Sequence, residues 1–235
     1  MSKQVAEALF KKIRAHVLYG LEIPNYDYNK ISDYLNNLYG YENAKTDFVP
    51  VYYHKFHDWF LRRLTRSKYL ECKENARRTI VCSPVQGQVR KKVPFGRITL
   101  KESYVGIDHL LHITKGHHLC QISLFKTDYH RVHSPVDGVI IDIRSYGVGE
   151  FFKDSDALVL IEIENEKGLF TLLCIGELTV ESFIPIVKIG QSVSKVEELG
   201  HFYFGSQVIL VMPETVDILV DMGGKKRVFI GDMIC

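Results

Sequence analysis

The sequence predicts an α+β protein: a helical N-terminal region over residues 1–75, then a mostly antiparallel β-sandwich or barrel-like domain over residues 76–235. Three observations predict it. Apolar residues recur at near-helical spacing through Val5, Leu9, Ile13, Val17 and Leu21, and again in Phe56–Leu64. From about Thr79 onward they come instead in short β-rich runs separated by Gly, Pro, Asp and Ser. Those runs do not alternate with long helices, which argues against the crossover units of a parallel sheet.

The first helix interleaves Lys3, Lys11, Lys12 and Arg14 with its apolar stripe. That pattern suits packing on the domain body, the commoner outcome, or lying on a membrane surface. Residues 25–41, rich in Tyr and Asn, mix helix and loop. Phe56–Leu64 has an aromatic face and a basic face, as a core-docking helix does. Strands are predicted at Thr79–Cys82, Arg97–Leu100, Cys120–Phe125, Val139–Ile143, Ala157–Ile163, Phe170–Ile175, Gln207–Val211, Ile218–Val220 and Arg227–Ile230. One internal echo stands out: Ser83-Pro84-Val85-Gln86-Gly87 and Ser134-Pro135-Val136-Asp137-Gly138 each precede a β run. Two similar hairpin entries explain it, as do two related halves.

Composition narrows the class. The 235 residues carry 30 basic and 28 acidic side chains, a net charge of +2, and 46% are hydrophobic. Disordered and collagen-like readings are excluded, and nucleic acid is not expected as the main partner. No apolar run approaches the ~18–20 residues of a membrane span, and no signal peptide is evident. A cytoplasmic protein is expected, with room for a peripheral position at the inner face of a membrane. Five cysteines without a C-x-x-C pair fit buried thiols in a reducing compartment. No metal site is expected.

The densest polar cluster is Asp128-Tyr129-His130-Arg131-Val132-His133-Ser134-Pro135. In an extended chain His130 and His133 fall on opposite faces; in a helical turn they share one. Pro135 disfavours helix before it. Acid–base work, a metal site and a hydrogen-bonded structural pair all remain open. A second group, His109, His112, His117 and His118, matches no zinc spacing. The run Glu198–Leu210 places Gly205-Ser206 between aromatic and β segments, which a tight turn would also explain.

Together these segments resemble the phosphatidylserine decarboxylase family. Phe56-His57-Asp58-Trp59-Phe60-Leu61-Arg62-Arg63-Leu64 fits its F-x-x-F-F-x-R-x-L helix, Ser83–Gly87 its P-x-D-G turn, Asp128–Pro135 its D-Y-H-R-[FV]-H-x-P motif, and Glu198–Ser206 its glycine-rich stretch ending at a G-S-T cleavage site. The resemblance implies a pyruvoyl enzyme made by self-cleavage between Gly205 and Ser206. The Ser206 hydroxyl attacks the Gly205 carbonyl, and β-elimination from the resulting ester leaves residue 206 as an N-terminal pyruvoyl group. A serine hydroxyl needs a base, and His133 matches that position; His130 matches the residue that assists decarboxylation and protonation. The pyruvoyl keto carbon condenses with the substrate amine and accepts the electrons left by departing carbon dioxide. Phosphatidylserine is the implied substrate, met at a membrane surface, and a homodimer is compatible with the sequence.

The resemblance departs at Gln86, where the family has an acid that orients the base histidine, and at Gln207, where many relatives have Thr. An amide accepts a hydrogen bond but cannot offset an imidazolium charge. Three outcomes stay open: slow maturation, charge supplied by Asp108, Asp128 or Asp137, and an uncleaved chain that binds lipid or a partner. A soluble amino-acid decarboxylase is the alternative within the family.

Overall fold

The computed structural model describes residues 3–18, 22–23, 26–31, 33, 47–49, 54–92, 98–100, 103–105, 118–147, 156–177, 183–203, 207–216 and 226–234. The expected strand at 218–220, Asp108, most of 25–41, the histidines 109, 112 and 117, and the Gly205–Ser206 bond lie outside these residues.

Helix α1, Lys3–Leu18, docks through the middle of its apolar stripe: Ile13 is fully buried in the main core, Leu9 packs at its edge, and Val5 faces solvent. Helix α2 spans Phe56–Phe60, shorter than the predicted Phe56–Leu64. Its first turn is capped by Asp58, whose Oδ2 accepts from the backbone N–H of Lys55 (2.9 Å) and His54 (3.2 Å). After Phe60 the chain extends into strand β2, Arg63–Leu64, which pairs with β1, Phe48–Val49. Thr65 then caps helix α3, Arg66–Arg77, accepting from Lys68 N at 3.3 Å. That helix buries only Cys72 and Ala76, so its inner face is narrow.

The remaining strands are β3 Gly87–Lys92, β4 Ile98–Leu100, β5 Ser103–Val105, β6 His118–Ser123, β7 Arg131–His133, β8 Gly138–Tyr146, β9 Asp156–Asn165, β10 Gly168–Glu177, β11 Phe183–Pro185, β12 Ser192–Val193, β13 Glu198–Phe202, β14 Gln207–Met212 and β15 Arg227–Val228. An eight-stranded sheet runs β12–β8–β9–β10–β14–β6–β3–β15, and a three-stranded sheet runs β11–β13–β7. Pairing between the described strands is antiparallel throughout. The β9–β10 hairpin closes between Asn165 and Gly168, where φ of +123° suits glycine. Val132, Leu199 and Phe202 of the small sheet share one core with Ile161, Leu172 and Leu210 of the large sheet and with Phe56, Trp59 and Phe60 of α2. This is the sandwich-like α+β arrangement that the sequence predicts.

Two differences have physical causes. Thr79–Cys82 is not a strand, because Thr79 is turned back onto the end of α3, its N–H (3.2 Å) and hydroxyl (2.9 Å) both donating to Ala76 O; only Cys82 bridges, to Met233. Strands β7 and β13, by contrast, carry no clean alternation. They are held by each other, with Glu198 opposite His133 and His201 opposite Arg131.

The internal echo is structural. Cys82 N donates to Pro135 O (3.0 Å), and His133 N donates to Pro84 O (2.8 Å). Ser83 N reaches Asp232 O and Ser134 N reaches Glu197 O, both at 2.7 Å. Gly231 N returns to Ser83 O (3.2 Å), and Val196 N to Ser134 O (2.9 Å). The carboxylates match too: Asp232 accepts from Phe229 N, and Glu197 from Ser194 N. Strand β15 lies on β3 as β12 lies on β8. Two halves of one topology therefore interlock, with Cys82 equivalent to His133, Gln86 to Asp137 and Gly231 to Val196.

Candidate active site

The segment 128–135 runs across the junction between α2 and the small sheet. Asp128, fully buried, anchors its start. Its carboxylate accepts from Phe125 N (2.6 Å) and is paired with the Arg227 guanidinium of β15. Burial raises the Asp128 pKa, opposed by Arg227 and the Phe125 amide. Arg131 anchors the middle. Its guanidinium donates to Leu61 O (2.6 Å) and Arg62 O (3.2 Å) and to Glu198 Oε1 (2.5 Å), tying the end of α2 to β13. Arg62 is buried beneath, donating to Trp59 O at 2.9 Å and Thr127 O at 2.5 Å.

The two histidines of the motif face different surroundings, as odd spacing on an extended chain requires. His133 is fixed at both ring nitrogens: Nδ1 lies 2.6 Å from Val196 O and Nε2 lies 3.1 Å from the Tyr129 hydroxyl. A carbonyl can only accept, so Nδ1 carries the proton and Nε2 accepts from Tyr129. Burial raises the Tyr129 pKa, which keeps its hydroxyl a donor, and lowers that of His133. His130 is buried flat against Phe60, ring centroids 3.7 Å apart, and its Nδ1 has no partner among the described residues. Burial, and secondarily the nearby Arg62 charge, hold the His130 pKa well below its ordinary value. Neutral imidazoles with a lone pair available are what proton transfer at neutral pH needs.

Gln86 is buried beside them, but its Oε1 accepts from Tyr129 N at 2.9 Å. Its amide thus supports the residue that donates to His133. Asp128 is occupied as described, and Asp137 Oδ1 accepts from Lys195 N (2.8 Å); neither meets the His133 ring nitrogens. Asp108, Gly205 and Ser206 lie outside the described residues. Their flanks are in place: Phe202 N donates to His130 O (2.9 Å), and Gln207 opens β14 opposite Ile175 and Ser123. His118 sits on the edge of β6, away from this group.

Sequence reasoning assigned no role to Tyr129, Arg131 or Val196. Val196 is the only described non-glycine residue with positive φ, +69°. A β-branched residue there is a genuine outlier, costing about 1–3 kcal/mol. No sequence signal marks it: the five-residue echo does not reach this turn, and only the hydrogen bonds of the folded chain set Val196 against Gly231 at φ +85°. No group of acidic, histidine or cysteine side chains among the described residues is arranged to hold a metal ion. Cys72, Cys82, Cys120 and Cys174 are buried free thiols.

For a pyruvoyl group at residue 206, the fitting observation is the unpartnered, buried Nδ1 of His130 in an aromatic wall bonded to β13, three residues before residue 205.

Comparison with known proteins gives the same family as the motifs. The phosphatidylserine decarboxylase family profile matches residues 56–235. A phosphatidylserine decarboxylase proenzyme of Halalkalibacterium halodurans is 34% identical over 99 residues, covering 37% of this chain and 38% of that protein. One from Fusobacterium nucleatum is 25% identical over 193 residues, 72% of this chain and 63% of that protein. Phosphatidylserine decarboxylase proenzyme 2 of Komagataella phaffii is 32% identical over 110 residues, 40% of this chain. The matched part spans only 11% of that fungal relative's length. With the family profile covering most of the sequence and its histidine motif folded into one buried site, the chain belongs to the phosphatidylserine decarboxylase family.

Proposed function

We propose that the chain is a self-processing, pyruvoyl-dependent carboxy-lyase that converts phosphatidylserine to phosphatidylethanolamine at a membrane surface. The observation that carries this reading is the pair of buried neutral imidazoles, His133 on β7 and His130 immediately before it, next to the strand leading to Gly205-Ser206. In the processing step the Ser206 hydroxyl adds to the Gly205 carbonyl and its proton passes to His133 Nε2, with the Tyr129 hydroxyl turning aside or relaying it. Collapse of the adduct breaks the Gly205–Ser206 C–N bond, His133 returns the proton to the freed amine, and an ester joins the two chains. Loss of the residue-206 α-proton then expels the Gly205 carboxylate, and the dehydroalanine left behind, as its imine, adds water and loses ammonia to become the pyruvoyl group. That group supplies the electron sink for decarboxylation. His130 Nδ1 takes up a proton during turnover and passes it to the product carbon, and the Phe60 face excludes water from it. Arg131 and Arg62 fix the backbone on which both histidines ride.

No described helix is long and apolar enough to cross a membrane. Attachment therefore rests on the positively charged N-terminal helix and its exposed Val5 end. The uncleaved lipid- or partner-binding reading is favoured by one observation, the amide of Gln86 in place of a carboxylate.

Intact mass under denaturing conditions separates the two. The proposal expects two chains, 1–205 and 206–235, the second blocked by pyruvoyl. Ser206→Ala should abolish the break, and His133→Ala should slow it at least ~100-fold, the scale of losing a general base. A single chain of 27.1 kDa would instead favour the binding protein. His130→Ala should still cleave yet lose turnover of phosphatidylserine; normal turnover would remove it from the site.

A further inference from the structure

We propose that Val196 is the positioning residue for His133: its left-handed backbone aims the carbonyl that fixes the imidazole tautomer, the task a carboxylate performs in a charged triad. The proposal rests on the reading of His133 as the base of self-cleavage.

Four observations converge on it. The Val196 carbonyl is the partner of His133 Nδ1, at 2.6 Å, and leaves Nε2 as the acceptor. Its direction follows from φ of +69°, a conformation that a valine adopts only where its surroundings over-determine it. Those surroundings are specific. Val196 N donates to Ser134 O, Glu197 N to Ser194 O and Ser134 N to Glu197 O, so the turn is bonded on both sides to the residue after His133. The valine side chain, fully buried, packs in the same apolar cluster as Tyr129, which holds the other ring nitrogen.

The other half of the fold is an internal control. There the equivalent turn residue is Gly231, which reaches φ +85° without steric cost, and the residue in the place of His133 is Cys82, bridged to Met233. Cys82 directs its thiol to Ser134 O and Pro135 O. The turn is thus common to both halves, and only the half with a histidine uses the carbonyl to bind a ring. The carboxylates that could compete are engaged: Asp128 with Arg227, Asp137 with the Lys195 amide, Glu198 with Arg131. Gln86 binds the Tyr129 amide.

The test has two readouts. Nitrogen-15 NMR of the histidine rings is recorded on the full chain carrying Ser206→Ala, which cannot process. Processing rate is followed by intact mass on the chain with Ser206. The expected result is a single Nδ1–H tautomer for His133. Val196→Gly, which keeps the turn, should retain that tautomer and at least about a third of the parental processing rate. Val196→Pro cannot reach positive φ; it should lose the single tautomer and process at least ~100-fold more slowly. Should that variant fail to fold, Gln86→Asp decides. It should leave the tautomer in place and speed processing by less than ~10-fold. An Nε2–H tautomer in the parental chain, or a 100-fold or greater acceleration by Gln86→Asp, would overturn the proposal. Absence of cleavage with a clean Nδ1–H signal would sink the decarboxylase reading alone, because the spectrum is taken on a chain that never cleaves.

Discussion

His130 and His133 are both buried, yet among the described residues no carboxylate is bonded to their ring nitrogens. That arrangement has a pH signature. Burial lowers both pKa values in the folded protein, and His57 and His201 shift the same way. In the unfolded chain a histidine takes up its proton near pH ~6.5. Below that pH the unfolded state therefore binds more protons than the folded one, and stability must fall as pH drops. The contribution is complete above about pH 6.5 and is lost progressively beneath it. Thermal melts between pH 7.5 and 5.5 should show a declining midpoint, and His130→Phe should flatten the decline. A midpoint that rises toward acid would mean the imidazoles are charged in the fold. The histidine motif was legible in sequence because eight adjacent residues carry it. The partners of His133 were less so. Val196 acts through a backbone oxygen, which no side-chain pattern encodes, and Gln86 suggests a broken triad until its amide is seen on Tyr129 N.

At the level of elements, legibility followed burial on both faces. Strands β9 and β10 read directly from Ala157–Ile163 and Phe170–Ile175, since both faces are packed. Strand β13 did not, because Gly200 and His201 interrupt its alternation. Gly200 is small for a reason: a Cβ there would lie 2.5 Å from Ile184 O and from the Phe183 ring. Helix α2 was read too long because Leu61–Leu64 keeps helical spacing, whereas its carbonyls are taken by Arg131 and its end pairs with β1. The glycines opening β3 and β8 act at this scale. A Cβ on Gly138 would sit 2.6 Å from Glu164 O, and one on Gly87 would sit 2.8 Å from Ser123 O. Both contacts are to a paired strand's backbone, which cannot yield without opening the sheet. Gly138→Ala and Gly87→Ala should each cost about 1–3 kcal/mol in urea unfolding, the usual range for overpacking. A loss below a few tenths of that would show that the paired strand's backbone yields to the added methyl group.

For the whole molecule, the fold class and the order of motifs were legible, and the two-fold relation between halves was visible only as a five-residue echo. Its remainder is a pattern of backbone hydrogen bonds through residues 194–199 and 229–234, whose sequences share little. The position of β14 has a consequence for what a scission between residues 205 and 206 would produce. That strand is not at an edge: it is bonded to β10 on one side and β6 on the other, with Val208–Met212 buried, and the same fragment supplies β15. A nick at its entrance severs one covalent link and leaves the ladders on both flanks intact. The matured molecule should thus migrate as one particle in native size exclusion and separate into two polypeptides only in denaturant. Recovery of free 206–235 peptide under native conditions would contradict this. Such a maturation would be a change of chain ends inside a continuous sheet, with no subunit released.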